Sequence, residues 1–176
     1  KSISFIEFGV AKGNGLLYLE SLAERIEKEI DIKIEIYGFD TGEGMIKPND
    51  YKDLPYFFQG GMYQMDKANL QQKLKRSKLI LGDVKETVKN FIRNYNPAVI
   101  AAIYNDLDYY SSTYNSFKIF ENDVTNFLPR VFCYFDDVIG SAEEMYTEFS
   151  GELLAINEFN KNNQDKKISI NRNLQI

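Results

Sequence analysis

Ile3-Ser4-Phe5-Ile6-Glu7-Phe8-Gly9-Val10-Ala11-Lys12-Gly13-Asn14-Gly15 is a short β-rich run that closes on an acid and three glycines. Beyond it the apolar period changes. Leu16, Leu19, Leu22, Ala23, Ile26 and Ile30 recur at three- and four-residue spacing, which predicts an amphipathic helix. Ile32, Ile34 and Ile36 then alternate with Lys33 and Glu35, a half-buried strand that stops at Asp40. A strand, a glycine-rich turn, a helix and a second strand make a βαβ unit, and such units build parallel sheets.

The alternation continues outward from this unit. Leu79 to Leu81 reads as a brief strand, and Val84, Val88, Phe91, Ile92 and Tyr95 as one helix. Ala98 to Tyr104 is continuously apolar, as a central strand covered on both faces should be. Tyr110, Tyr114, Phe117, Phe120, Val124 and Phe127 predict a further helix, and Val131 to Phe135 another strand. Met145, Phe149, Leu153, Ile156 and Phe159 line a last helix, with Ile168 and Ile170 in a last strand. The expected architecture is α/β: a doubly wound, Rossmann-like, mainly parallel sheet with helices on both faces. No repeat or linker divides the chain, so residues 1–176 read as one domain. Residues 43–66 have no period but carry Pro48, Pro55, Gly60, Gly61 and many aromatics, which predicts a lid-like insertion, mobile without ligand. In it Tyr51, Tyr56, Phe57, Phe58 and Tyr63 can close over a site.

Composition narrows the chemistry. The chain has 176 residues, 44% of them hydrophobic, enough for one sizeable core. It contains no histidine, which removes Ser-His-Asp and Cys-His catalysis and every imidazole metal site. The single cysteine, Cys133, lies in an apolar run and reads as a small buried side chain; with no disulfide framework possible, a cytoplasmic setting is expected. A net charge of −5 disfavours a nucleic-acid partner, and no apolar run is long enough for a membrane span. The chain opens on Lys1, and native residues upstream of it are expected.

In open parallel sheets, ligands bind beyond the carboxyl ends of the strands. The residues there are Glu7 with Gly9, Asp40, Gly82 with Asp83, Asp106 with Asp108, and Asp136 with Asp137. The glycine loop allows close backbone approach, and the helix start offers unpaired N–H groups; the bland alternative is an ordinary turn with Asn14 as helix cap. Asp40 can accept two ribose hydroxyls or merely cap a turn. Asp83 can take an adenine amino group with Val84 against the ring, or cap a helix. Asp106, Asp108, Asp136 and Asp137 come together if their strands are neighbours. Such carboxylates repel, so protonation or a cation must stabilise them, and an all-oxygen cluster selects a hard ion, Mg²⁺ first.

The spacing Glu7-x-Gly9-x-x-x-Gly13-x-Gly15 departs from the dinucleotide pattern and resembles the first motif of class I methyltransferases, whose loop holds the amino-acid end of S-adenosylmethionine. The whole chain resembles the macrocin O-methyltransferase family. The likeness rests on Phe8-Gly9-Val10 with Lys12-Gly13, and on Gly38-Phe39-Asp40-Thr41 leading into Glu43-Gly44-Met45. It extends to Gly61-Met62-Tyr63, Gly82-Asp83 with Glu86-Thr87, Asp106-x-Asp108-x-Tyr110-x-Ser112-Thr113, and Asp136-Asp137. Leu128-Pro129-Arg130, Val138 and Asn105 depart from the family pattern. The resemblance implies S-adenosylmethionine on Glu7, Gly9, Val10, Lys12, Gly13, Asn14, Gly15, Asp40, Thr41, Gly82, Asp83 and Val84. It further implies Mg²⁺ on Asp106, Asp136 and Asp137, with Asp108 as base beside Asp106. The expected partner is a small-molecule acceptor with a sugar-like hydroxyl, and a homo-oligomer is possible. Rival readings are a silent S-adenosylmethionine- or carbohydrate-binding protein and an NAD-binding oxidoreductase.

Overall fold

The computed structural model of the chain describes residues 1–172. Residues 173–176 of the expected domain lie outside the described residues. The strands are β1 (Ser2–Phe8), β2 (Lys33–Asp40), β3 (Lys78–Leu81), β4 (Val99–Asn105) and β5 (Phe127–Phe135). They form one sheet in the order β3-β2-β1-β4-β5, with every pairing parallel. The order reverses between β1 and β4, so the switch point opens a crevice beyond Phe8 and Asn105, which are partners across that seam.

Helices cover both faces, as the apolar pattern requires. Helix α1 (Asn14–Glu29) lays Leu16, Leu19 and Ala23 on Phe5, Ile34, Ile36 and Ala102, together with Leu70 of a short α2 (Lys67–Lys73). The opposite face buries Ile6, Phe8, Tyr37, Phe39, Ile100 and Ile103 under Val88, Phe91 and Ile119. Helix α2 lies between the lid-like insertion and β3, where the sequence reading assigns no element; Asp66 caps it by accepting the Asn69 N–H at 3.1 Å.

Four local expectations need correction. The helix read from Val84 to Tyr95 is α3 (Val84–Thr87), a 3-10 turn (Val88–Asn90) and α4 (Phe91–Tyr95), which ends at left-handed Asn96 before Pro97. Two valines, a threonine and two asparagines hold a continuous helix poorly, while burial of Val88 and Phe91 is satisfied by the broken form. Helix α5 (Tyr110–Ser116) likewise stops early, because its run of Ser, Thr and Asn bonds to local backbone: Asn115 Nδ2 donates to the Ser111 carbonyl at 2.8 Å. Phe127, expected in that helix, opens β5. The last helix, α6, covers Gly151–Asn162 and leaves Met145 and Phe149 exposed outside it. No strand forms at Ile168 and Ile170: the Asn160 side chain takes both backbone groups of Ile168, at 2.7 and 2.8 Å, and replaces a strand partner.

The insertion after β2 has a small apolar core of its own. Leu54 and Phe58 bury against Tyr109, with Met45, Phe57 and Met62 around them, while Tyr51, Tyr56 and Tyr63 stay exposed. Buried Asp53 accepts from the Ser111 N–H (2.8 Å), the Ser111 hydroxyl (2.9 Å) and the Asn49 N–H (3.0 Å). This carboxylate clamps the insertion to the start of α5. Asp53→Ala should therefore cost about 2–4 kcal/mol and speed amide exchange across residues 45–62. Exchange as slow as in the unsubstituted protein would show that the small aromatic core alone holds the segment.

Candidate active site

Gly9 follows β1 at φ +84°, a left-handed value that favours glycine. A Cβ there would overlap the Asp106 carbonyl, so the glycine lets the loop after β1 press against the end of β4. The Asp106 N–H donates to the Phe8 carbonyl at 2.9 Å, and the Gly9 N–H to the Phe39 carbonyl at 2.9 Å. Three strand ends thus meet at one point. A cleft of about 360 Å³ opens beyond them, walled by Gly9, Asp40, Thr41, Gly82, Asp83 and Val84 on one side and by Asp106, Asp108, Asp136 and Asp137 on the other. A larger hollow of about 600 Å³ lies elsewhere, beside Phe117, Phe159 and Lys166, and holds none of these strand-end acids.

Asp40 organises one side of the cleft. One of its oxygens accepts the Val10 and Ala11 N–H groups, both at 2.9 Å, and the other accepts the Gly42 N–H at 2.6 Å. Its carboxylate therefore shapes the loop after β1 and the turn after β2 together. The other expected cofactor residues divide. Thr41, Gly82, Asp83 and Val84 line the cleft, and Asp83 also caps α3 by accepting the Lys85 N–H at 2.8 Å. Val10 is buried behind the loop, Lys12 and Asn14 are exposed, and Gly13 packs under Leu70. Gly13, not Asn14, is the helix cap, without a side-chain bond.

Glu7 lies buried under this loop, against Gly15, and its Oε2 has no hydrogen-bond partner. Burial, then the charges of Asp106 and Asp40, push its carboxyl up to about 8. A carboxyl raised this far in the folded state binds a proton that the unfolded chain, near 4.5, has already released. Stability from this group is therefore full below about pH 4.5 and falls as pH rises toward 8. Glu7→Gln should flatten that fall, giving a ligand-free protein with a higher Tm at pH 8 and a nearly unchanged Tm at pH 4.5. Equal Tm values at pH 8 would refute the assignment.

The opposite side of the cleft is lined by carboxylates. Asp106, Asp108 and Asp137 each bring one oxygen within 4.8 Å of the others. Asp108 has a left-handed backbone (φ +57°), and its N–H donates to Asp137 Oδ2 at 3.0 Å. Asp137 Oδ1 accepts the Tyr146 hydroxyl at 2.8 Å. Desolvation in the cleft, then Asp137 and Asp136, raise Asp106 to about 7. Burial, then Asp137 and Asp106, raise Asp108 to about 8. Asp137 is raised by burial, with the bonds from Tyr146 and Asp108 pulling the other way. Asp136 lines the cleft but stands outside the converging trio, its Oδ1 accepting the Tyr134 hydroxyl at 2.6 Å. The trio differs by one member from the expected metal set: Asp108 stands where Asp136 was placed.

Glu144 and Glu152 escaped the sequence reading, whereas Tyr63 belongs to the expected insertion. Tyr63 and Glu144 line the cleft from the insertion and from the loop after β5, and the Tyr56 hydroxyl joins those segments by donating to the Glu144 carbonyl at 2.6 Å. Glu152 is wholly buried in the first turn of α6, where its Oε2 accepts the Asp137 N–H at 3.1 Å. Burial and Asp137 hold its carboxyl well above the usual range. Asn105, odd as a polar residue in a central strand, accepts the Ser116 hydroxyl at 3.1 Å. Cys133 is half-buried, with burial pushing its thiol up to about 12. Among the described residues no helix is long and apolar enough to cross a membrane.

Neither a protein-family model nor a curated protein matches the chain. Solved structures do. The crystal structure of CalS11, a calicheamicin methyltransferase, superposes with a TM-score of 0.73 at 24% identity over 89% of this chain and 63% of that one. An apo structure of CalS11, described as a TDP-rhamnose 3'-O-methyltransferase of calicheamicin biosynthesis, gives 0.58 at 24% over 88% and 62%. The O-methyltransferase NovP gives 0.50 at 15% over 67% and 51%. The chain spans less than two thirds of the length of each. The likeness establishes the Rossmann-like fold seen in these methyltransferases.

Proposed function

We propose that this chain transfers a methyl group from S-adenosylmethionine to a hydroxyl of a small, sugar-like acceptor, with a divalent cation held by Asp106 and Asp137 and with Asp108 beside them as the base. The observation that carries the proposal is the convergence of Asp106, Asp108 and Asp137 in the same cleft as the loop ordered by Asp40. The donor set fits the ion: all ligand atoms are carboxylate oxygens, the choice of hard Mg²⁺ rather than a softer metal. Asp137 is pre-oriented for it by Tyr146 and the Asp108 N–H.

Asp106 and Asp137 would hold the ion, flanked by Asp136. When bound, Mg²⁺ acts as a Lewis acid that lowers the pKa of an acceptor hydroxyl. The chain's own groups do the rest. The loop after β1 and Asp40 position the donor, with Asp83 and Val84 at its adenine end. Asp108 accepts the hydroxyl proton, one of its carboxylate oxygens lying within 4.8 Å of those of Asp106 and Asp137. The methyl passes to oxygen while the sulfur keeps the electron pair of the broken bond. Tyr63 and Met45, from the insertion, screen the cleft from water. The absence of histidine supports a carboxylate base, since no imidazole is there to serve.

A panel of glycosides, free sugars and phenols incubated with S-adenosylmethionine and Mg²⁺ tests the proposal. The expected product is a methyl ether on an alcohol oxygen. Methylation of amines only would contradict it. Donor binding without turnover on any acceptor would favour a silent binding protein, and tight NAD binding an oxidoreductase.

A further inference from the structure

We propose that Glu152 is a positioning residue of the acidic trio, setting the orientation of Asp137 through its backbone. The inference rests on the cation reading above. Asp137 follows β5, just past the last ladder bond at Asp136, whose N–H donates to the Asn105 carbonyl at 3.0 Å. Its own N–H has left the sheet and goes instead to Glu152 Oε2, at 3.1 Å. Thr113 Oγ1, itself buried on α5, lies 3.5 Å from the other oxygen, Oε1. One carboxyl thus ties the end of β5 to α6 and approaches α5. From Asp137 the order passes on, since its side chain takes the Asp108 N–H at 3.0 Å. The chain of contacts is Glu152 to Asp137 to Asp108, and it ends in the trio.

The chemistry argues against a merely structural role. Glu152 is 0% exposed and sits beside three aspartates, where another acid adds desolvation cost and repulsion. An apolar side chain would fill the same space more favourably. What it could not do is accept the Asp137 N–H. The first turn of α6 offsets part of the cost, because a helix start favours an acid.

The test compares Glu152→Gln with Glu152→Ala by calorimetric titration of Mn²⁺ into protein saturated with S-adenosylhomocysteine. Glutamine keeps an acceptor oxygen for the Asp137 N–H and should hold Mn²⁺ within about threefold of the unsubstituted protein, whereas alanine should lose roughly tenfold or more. Affinity for S-adenosylhomocysteine, set on the other wall of the cleft, should stay unchanged in both and reports folding. If alanine costs the fold, Glu152→Met fills the volume without an acceptor and takes its place. Mn²⁺ affinity equal in Gln and Ala (or Met) overturns the positioning role. An unsubstituted protein that binds no Mn²⁺ overturns the cation reading itself and this inference with it.

Discussion

Chelation is expected to abolish methyl transfer while leaving S-adenosylhomocysteine affinity within about twofold, because the proposed donor and cation sites lie on different walls of the cleft. An alcohol is a weak nucleophile at neutral pH and gains most from a Lewis acid beside a base. Removing the ion should therefore cost about 10²-fold or more in kcat. Asp137→Asn should reproduce the loss without chelator. Its carboxylate is buried at 7% exposure and receives both the Tyr146 hydroxyl and the Asp108 N–H, so an amide in its place turns one acceptor into a donor facing those groups. Asp108→Asn separates the roles: a base is lost with Mn²⁺ affinity retained, whereas a ligand is lost together with the metal. Full turnover after exhaustive EDTA treatment would end the metal mechanism. The donor assignment would survive it, resting as it does on Asp40 and the loop after β1.

The second large effect is expected at Asp40. Asp40→Ala removes the acceptor of three backbone N–H groups, from Val10, Ala11 and Gly42, as well as the proposed ribose contact. Each charge-assisted bond is worth about 1.5–3 kcal/mol. S-Adenosylhomocysteine affinity should fall by roughly one to two decades even if part of the loop reorders, and Tm should fall with it. Asp40→Asn keeps one acceptor oxygen and should recover part of both losses. Calorimetry giving an alanine variant with unchanged affinity would mean that the cofactor bypasses this strand end.

The sequence by itself determined what depends on local pattern. Alternating periods in Ile3–Phe8, Leu16–Ile30 and Ile32–Ile36 suffice for a βαβ unit, and repeated units leave a parallel sheet as the only economical packing. Because side-chain order along a strand is rigid, the acids that end each strand could be placed at one edge from spacing alone. Asp40, Asp83, Asp106, Asp108, Asp136 and Asp137 all line the cleft. Element limits were less legible, since a stripe at helical spacing shows which residues are apolar and not whether Ser, Thr and Asn between them break the helix, as they do after Ser116.

Only the tertiary structure decided which acids meet. Asp108 rather than Asp136 joins Asp106 and Asp137 because a left-handed backbone at 108 turns the chain back toward β5, while Tyr134 engages Asp136. No motif or spacing in the sequence singles out Asp53 or Glu152. Each is buried by segments far away in sequence, Ser111 lying 58 residues from Asp53, and Asp137 lying 15 residues from Glu152. A buried carboxyl is tolerated where backbone N–H groups converge on it. That convergence comes from packing between distant elements, and no local pattern of residues encodes it.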